Sequence, residues 1–223
     1  MDSINSAILL IDSYFGSSPW FPALLLGTGI FFTIYLKFPQ IIFFKRAWKI
    51  LFSGNKYKDN KGETTPFQAL STALSGTVGT GNIGGVAMAI FIGGPAALFW
   101  MWITAFLGMT TKYVEVSLAH KYRISLEDGS IAGGPMYYMQ NGLKSKWLGI
   151  IFAFCLLVTT FGSGMMPQID NISSTLFSSF SIPNLTTSIV MTILVGLVII
   201  GGLKRIASVA ASIVPTMAAI YFI

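Results

Sequence analysis

Residues 73 to 94 form an apolar stretch long enough to cross a bilayer, but glycines, hydroxyls and one amide interrupt it. In hydrocarbon, each backbone N–H or C=O group without a hydrogen-bond partner costs several kcal/mol, so unwound backbone occurs only where protein surrounds it or it lines a cavity. The interruption therefore predicts a broken transmembrane helix at a binding site for a small solute. Its residues are Gly76, Thr77, Gly79, Thr80, Gly81, Asn82, Gly84 and Gly85.

The composition of the whole chain is that of an all-α integral membrane protein. Of its 223 residues, 53% are hydrophobic and 10% are charged, against about 25% charged in soluble domains, and the mean hydropathy is +0.71. Six apolar runs approach or exceed the ~20 residues that a helix needs to cross a bilayer. We therefore expect a single transmembrane domain over residues 1–223 with crossings near 19–37, 67–93, 95–119, 147–174, 186–203 and 206–223.

The net charge of +6 indicates membrane topology rather than nucleic-acid binding. Lys and Arg cluster in alternate connections between the apolar runs, at 37–61, 121–146 and 204–205. The positive-inside rule places these connections in the cytoplasm and the N-terminus outside, for a multi-pass protein of the plasma membrane.

Two of the basic connections have patterns of their own. In the connection 38–66, residues 38–52 predict a basic amphipathic segment on the cytoplasmic membrane surface. The polar remainder ends where Thr65 can cap a helix and Pro66 can take its first position. The connection 121–146 is interpreted as a plain connecting loop, because GlyGlyPro interrupts it.

Glu115 and Asp170 are the only acids inside predicted helices, which makes both candidates for an ion pathway. Lys112 lies three residues before Glu115 on the same helical face, so a structural ion pair is the favoured interpretation of Glu115. Asp170 is either a solvated acid near the outer surface or part of an ion pathway.

Gly79, Gly81 and Gly84 match the GxGxxG fingerprint of dinucleotide-binding proteins, but the context does not. The fingerprint needs a preceding strand and an acid about 20 residues later, and no Asp or Glu occurs between Glu63 and Glu115. No nucleophile, metal-binding cluster or acid pair has a spacing that suits catalysis, so an enzyme is not expected. Close helix packing through small residues remains an alternative for the glycines.

Four motifs resemble those of the alanine or glycine:cation symporters, also called sodium:alanine symporters. They are FQALSTALSGTVGTGNIGGVA at 67–87, GGPAALFWMW at 93–102, GGPMYYM at 133–139 and GGLKRIA at 201–207. The resemblance implies a LeuT-like fold, in which a leading helix precedes two five-helix inverted repeats. Residues 19–37 would be the leading helix and 67–223 the first repeat, with a broken first core helix. The second repeat would be absent from this chain, which ends inside an apolar run and is expected to be incomplete.

The resemblance also implies sodium-coupled import of a small neutral amino acid, such as alanine or glycine, by alternating access. No cofactor besides the coupling ion is implied. Where the family often has GNMVQAN, residues 164–170 read GMMPQID, so Gln168 is carried over as a substrate-site residue. Sodium would bind backbone carbonyls near Val78 and Gly79. The substrate contacts implied on the broken helix are Thr77, Gly79, Thr80, Gly81 and Asn82.

Two other functions stay open on the sequence alone. In a channel-like pore, the same backbone carbonyls would form a selectivity filter. A membrane fragment that does not transport is the other alternative.

Overall fold

The computed structural model describes residues 6, 9–10, 13–14, 18–52, 64–127, 130–163 and 166–221, without the side chains of 161–163. Within these ranges the chain is mostly helical, as expected, with one short hairpin of strands. Residues 53–63 of the predicted polar loop, as well as Gly164 and Met165 of the fourth apolar run, lie outside the described residues. The helices are α1 (Trp20–Tyr35), α2 (Pro39–Ile42), α3 (Phe44–Leu51), α4 (Pro66–Thr77), α5 (Thr80–Gly93), α6 (Pro95–Lys121), α7 (Pro135–Asn141), α8 (Lys146–Ser163), α9 (Met166–Phe180), α10 (Asn184–Ile199) and α11 (Gly202–Tyr221).

The helices form two compact units, of which the first comprises residues 1–45 and 98–149. In it, α1 packs closely on α6, because a Cβ built on Gly29 would lie only 3.0 Å from the Cβ of Leu107. One turn further along α1, the buried hydroxyl of Thr33 donates to the buried hydroxyl of Thr110 over 3.1 Å. A glycine and two threonines thus set the spacing of these two helices.

The connection 121–146 is more ordered than a plain loop, so that expectation is wrong. Strands β1 (Ile124–Ser125) and β2 (Ile131–Ala132) form an antiparallel pair. The GlyGlyPro interruption does not end the regular structure but starts α7, since Gly134 adopts φ 128° and Pro135 takes the first helical position.

The second unit comprises residues 46–97 and 150–223. Here α11 packs along α4, while α9 packs on both α5 and α10. Ala207, Ala210 and Val214 lie on one face of α11 and are buried, as is Ser71 on α4. Small side chains at this spacing let two helix backbones approach closely.

Two predicted boundaries in this unit are wrong. Lys204 and Arg205 lie in the first turn of α11, whereas the chain turns at Gly202, whose φ is 70°. The fourth apolar run was expected to end at 174, but α9 continues to Phe180 and leaves a link of only three residues before α10.

Within the described residues, one helix, α11, is long and apolar enough to span a membrane alone. The bent pair α4 and α5 qualifies as a second span when it is counted together. Residues 20–35, 146–160 and 184–199 form shorter apolar helices. The count of six crossings therefore stays a prediction.

Candidate functional site

The break predicted from the glycines is present between α4 and α5. The two helices are bent by 47°, and two residues between them leave the helical conformation. Val78 has φ −103° and ψ 88°, and Gly79 is extended with φ −138° and ψ 162°. At the far end of α4, Thr65 and Gln68 form a reciprocal capping box around Pro66, which confirms the predicted start of the helix.

Asn82 joins the two half-helices through its side chain. Its Nδ2 donates to the carbonyl of Gly76 over 3.2 Å and to that of Thr77 over 2.5 Å. A helix leaves its last carbonyls without intrahelical partners, so Asn82, in the first turn of α5, caps the carboxyl end of α4. The hydroxyl of Thr77 donates a hydrogen bond to the carbonyl of Ala73 in its own helix, over 3.0 Å.

Gln168 of α9 lies against the glycines of the break. A Cβ built on Gly79 would be 3.3 Å from its Oε1, and one built on Gly81 would be 3.2 Å from its Cγ. The hydroxyl of Thr80 donates to the backbone carbonyl of Gln168 over 3.3 Å. The glycines have no side chains, and this is what allows α9 to approach so closely. The structure thus brings Gln168 to Gly79, Thr80 and Gly81, from which it is separated by more than 80 residues.

Asn171 of α9 also lies against α5 beside the break, and the sequence analysis missed it. A Cβ built on Gly84 would lie 2.8 Å from its Oδ1, and its Nδ2 donates to the carbonyl of Pro167 over 2.7 Å. The signal that could have revealed it is a matched spacing, because Gly81 and Gly84 are three residues apart and so are Gln168 and Asn171. On two packed helices, such spacing places each amide over one glycine.

The two acidic candidates do not join this cluster. Asp170 is exposed on α9, and Glu115 belongs to the first unit, where it accepts from Lys112 over 2.9 Å. Burial, reinforced by the charge of Glu115, raises the pKa of Tyr138 on α7 above its ordinary value of 10.0. Among the residues described, no group of three or more His, Cys, Asp or Glu could hold a metal ion.

The break therefore contains the chemical groups that a zwitterionic solute needs, in one small region. Amide N–H groups lie at the start of α5, carbonyl groups lie at the end of α4, and two side-chain amides come from α9.

Residues 1–223 match the profile of the sodium:alanine symporter family over their whole length. The chain belongs to this family. The resemblance drawn from the four motifs is thereby confirmed.

Several curated members of the family are similar to the chain. It is 49% identical over 220 residues to an uncharacterized transporter of Haemophilus influenzae, covering 98% of the chain and 48% of that protein. It is 46% identical over 209 residues to the sodium/alanine symporter AgcS of Methanococcus maripaludis, covering 92% of the chain and 46% of AgcS. With the probable sodium/glutamine symporter GlnT of Bacillus subtilis, the identity is 41% over 199 residues, and the coverage is 89% and 41%.

The chain spans about half the length of the curated relatives it matches. Membership in the symporter family places the chain among membrane proteins of the plasma membrane, and the family and the relatives are transporters rather than enzymes. The names of the relatives give different amino acids: alanine for AgcS and glutamine for GlnT.

Proposed function

We propose that the chain forms the binding site of a sodium-coupled symporter that imports a small neutral amino acid, alanine or glycine, by alternating access. The observation that carries the proposal is the break between α4 and α5 with Gln168 lying on its glycines. Broken helices of this kind form substrate and ion sites near the membrane midplane in secondary transporters.

The substrate carboxylate is assigned to the first turn of α5. The first N–H groups of a helix have no intrahelical acceptors, and the helix dipole favours negative charge there. Gly79, the residue that precedes α5, brings no side chain to occupy this position. Thr80, Gly81 and Asn82 supply the free N–H groups that would hold the carboxylate.

Sodium is assigned to the carboxyl end of α4. The carbonyls of Gly76 and Thr77 now accept from the Asn82 amide. If the amide rotates, its Oδ1 replaces its Nδ2, and three oxygens can then coordinate one cation. The predicted ligands near Val78 and Gly79 adjoin this group, although the Gly79 carbonyl already accepts from the N–H of Ile83 at 3.0 Å. Sodium would therefore compete with the bond that joins the two half-helices.

The size limit on the substrate is assigned to α9. The side chain of Gln168 covers Gly79 and Gly81, and that of Asn171 covers Gly84, so little room remains beside the first turn of α5. A methyl or hydrogen side chain fits such a site better than a long one. This favours alanine or glycine over glutamine for this chain.

The helix order agrees with a LeuT-like repeat that follows the leading helix α1. Five spans can be grouped from residue 66 onward, namely α4 with α5, then α6, α8 with α9, α10 and α11. In this grouping the first span is broken, as the proposal requires.

The test is uptake of labelled alanine, driven by a sodium gradient, into proteoliposomes that contain the full-length symporter of which residues 1–223 form part. We expect saturable uptake that L-alanine inhibits more strongly than D-alanine. The substitution Asn82→Ala removes the side-chain oxygen that is proposed to bind the sodium ion. A polar contact to a charged group is worth about 1.5–3 kcal/mol, so the sodium concentration for half-maximal uptake should rise about tenfold or more. The matched control is Asn184→Ala, at the start of α10 in the same unit, which should leave uptake unchanged.

Three results would contradict this assignment. Flux that neither saturates nor distinguishes the enantiomers would indicate a pore instead. Glutamine uptake faster than alanine uptake would overturn the substrate assignment. An unchanged sodium dependence in Asn82→Ala would remove sodium from the α4 carbonyls.

A further inference from the structure

Helix α3 has a charge pattern that the proposed function does not use. Its sequence is FKRAWKIL, followed by Phe52. Successive residues of an α-helix are about 100° apart around its axis, so Lys45, Arg46 and Lys49 occupy one arc of about 100°. The aromatic and aliphatic side chains occupy the remainder. The helix is therefore strongly amphipathic, with a purely basic polar face.

The apolar face of α3 carries exposed aromatic rings. Trp48 and Phe52 stack with their ring centroids 5.4 Å apart and their planes within 11° of parallel. Half of the Trp48 surface and 70% of that of Phe52 are exposed. Ile50 and Leu51 are half-buried, and the other residues of α3 are exposed among the described part of the chain. Large aromatic rings exposed beside basic residues are typical of helices that lie in a membrane interface.

The chain that enters α3 is held firmly. Lys37 and Phe38 both adopt a left-handed conformation, with φ 57° and 60°, and turn the chain sharply after α1. Phe43 then stacks on Tyr113 of α6, with 5.8 Å between the ring centroids. Fixed entry of this kind lowers the conformational entropy that α3 would lose on binding.

The charged residues of this segment are all of one sign in the sequence. Residues 37 to 52 contain four basic residues and no acid. With only 8 residues, α3 is far shorter than the ~20 that a membrane crossing requires, so it cannot cross the bilayer by itself. A surface of anionic headgroups complements both its charge and its exposed aromatic edge.

We propose that α3 is a binding site for anionic phospholipids. Lys45, Arg46 and Lys49 bind the headgroup phosphates, while Trp48 and Phe52 enter the outer part of the acyl region. The site is independent of the break and of the proposed transport reaction. Each basic residue near an anionic surface is worth about 1 kcal/mol, which is about fivefold in local lipid affinity.

The first test measures which lipid touches Trp48. In the protein reconstituted into nanodiscs, Trp20, Trp100, Trp102 and Trp147 are replaced by Phe, which leaves Trp48 as the sole tryptophan. Brominated phosphatidylglycerol should quench its fluorescence more than brominated phosphatidylcholine at equal mole fractions. The preference should weaken in high salt, because the screening length falls from about 10 Å at 0.1 M to about 3 Å at 1 M.

The second test keeps all tryptophans and counts bound lipid by native mass spectrometry. Lys45→Gln with Lys49→Gln should lower the preference for phosphatidylglycerol over phosphatidylcholine about 25-fold, at fivefold per charge. Lys204→Gln with Arg205→Gln removes the same charge from α11 and should leave the preference unchanged.

Equal quenching of Trp48 by the two lipids would overturn the proposal, because α3 would then lie in the interface without choosing a headgroup. Absence of quenching by either lipid would also overturn it, because protein would then cover this face. If the α11 control lost as much of its preference for phosphatidylglycerol as the α3 variant, the effect would come from net charge alone, and the proposal would be overturned.

Discussion

The substitution Gly81→Ala tests whether the close approach of α9 to the break is real. A Cβ at this position would lie 3.2 Å from Cγ of Gln168, 3.4 Å from its backbone nitrogen and 3.5 Å from the carbonyl carbon of Pro167. The two backbone atoms lie at ordinary van der Waals distances, so the tight contact is with Cγ of Gln168. The Gln168 side chain would have to give way by a few tenths of an ångström.

The matched control is Gly76→Ala in the last turn of α4, where no described atom lies within 4 Å of the added Cβ. Alanine is favoured over glycine in a helix by about 0.5–1 kcal/mol, so this variant should be as stable as the parent or slightly more so. Overpacking costs about 1–3 kcal/mol. The two variants should therefore differ by about 2 kcal/mol, with Gly81→Ala the less stable.

The assay is thermal unfolding of the purified protein in detergent. For a chain of this size, 1 kcal/mol corresponds to about 2–4 °C, so the midpoint of Gly81→Ala should lie about 4–8 °C below that of Gly76→Ala. Alanine uptake should follow the same order, because a displaced Gln168 no longer covers the glycines. Equal midpoints and equal uptake in the two variants would refute the packing of α9 on the break.

Three further predictions follow from the other contacts. Gly29→Ala should unfold at a temperature about 4–8 °C lower than Gly27→Ala, because the methyl group added at Gly29 meets Leu107 of α6, whereas the one added at Gly27 meets no described atom. Thr65→Ala should lower the unfolding midpoint by about 2–4 °C through loss of a helix cap worth about 1 kcal/mol, and Thr65→Ser should restore it. Glu115→Gln should retain sodium-driven uptake, because an exposed ion pair contributes about 0–1 kcal/mol; loss of uptake with normal folding would return Glu115 to the ion pathway.

The break and the helix start could be predicted from the sequence because both follow from local rules. Unsatisfied backbone in hydrocarbon is costly wherever it occurs, so the glycines and hydroxyls around Gly79 marked an interruption before any packing was known. The pair of Thr65 and Pro66 likewise marks a helix start by the preferences of two adjacent positions.

The contacts across the site could not be predicted in the same way. Gln168 was assigned only through a family resemblance, and Asn171 was not assigned, since both meet the break through packing of α9 on α5. The break between α10 and α11 was misplaced for a different reason. Lys204 and Arg205 predict a loop, whereas the backbone of Gly202 makes the turn.

The bond from Asn82 to the end of α4 bears on the order in which the chain folds. Its partners are five and six residues away, whereas Thr80 and Gln168 are 88 residues apart. Contacts near in sequence close a short loop and form early, while distant ones wait for the intervening chain. During synthesis, α4 and α5 can therefore take their bent form before α9 has been made. The nascent chain would then present the bent pair α4 and α5 already formed, and the amides of α9 would dock onto it later.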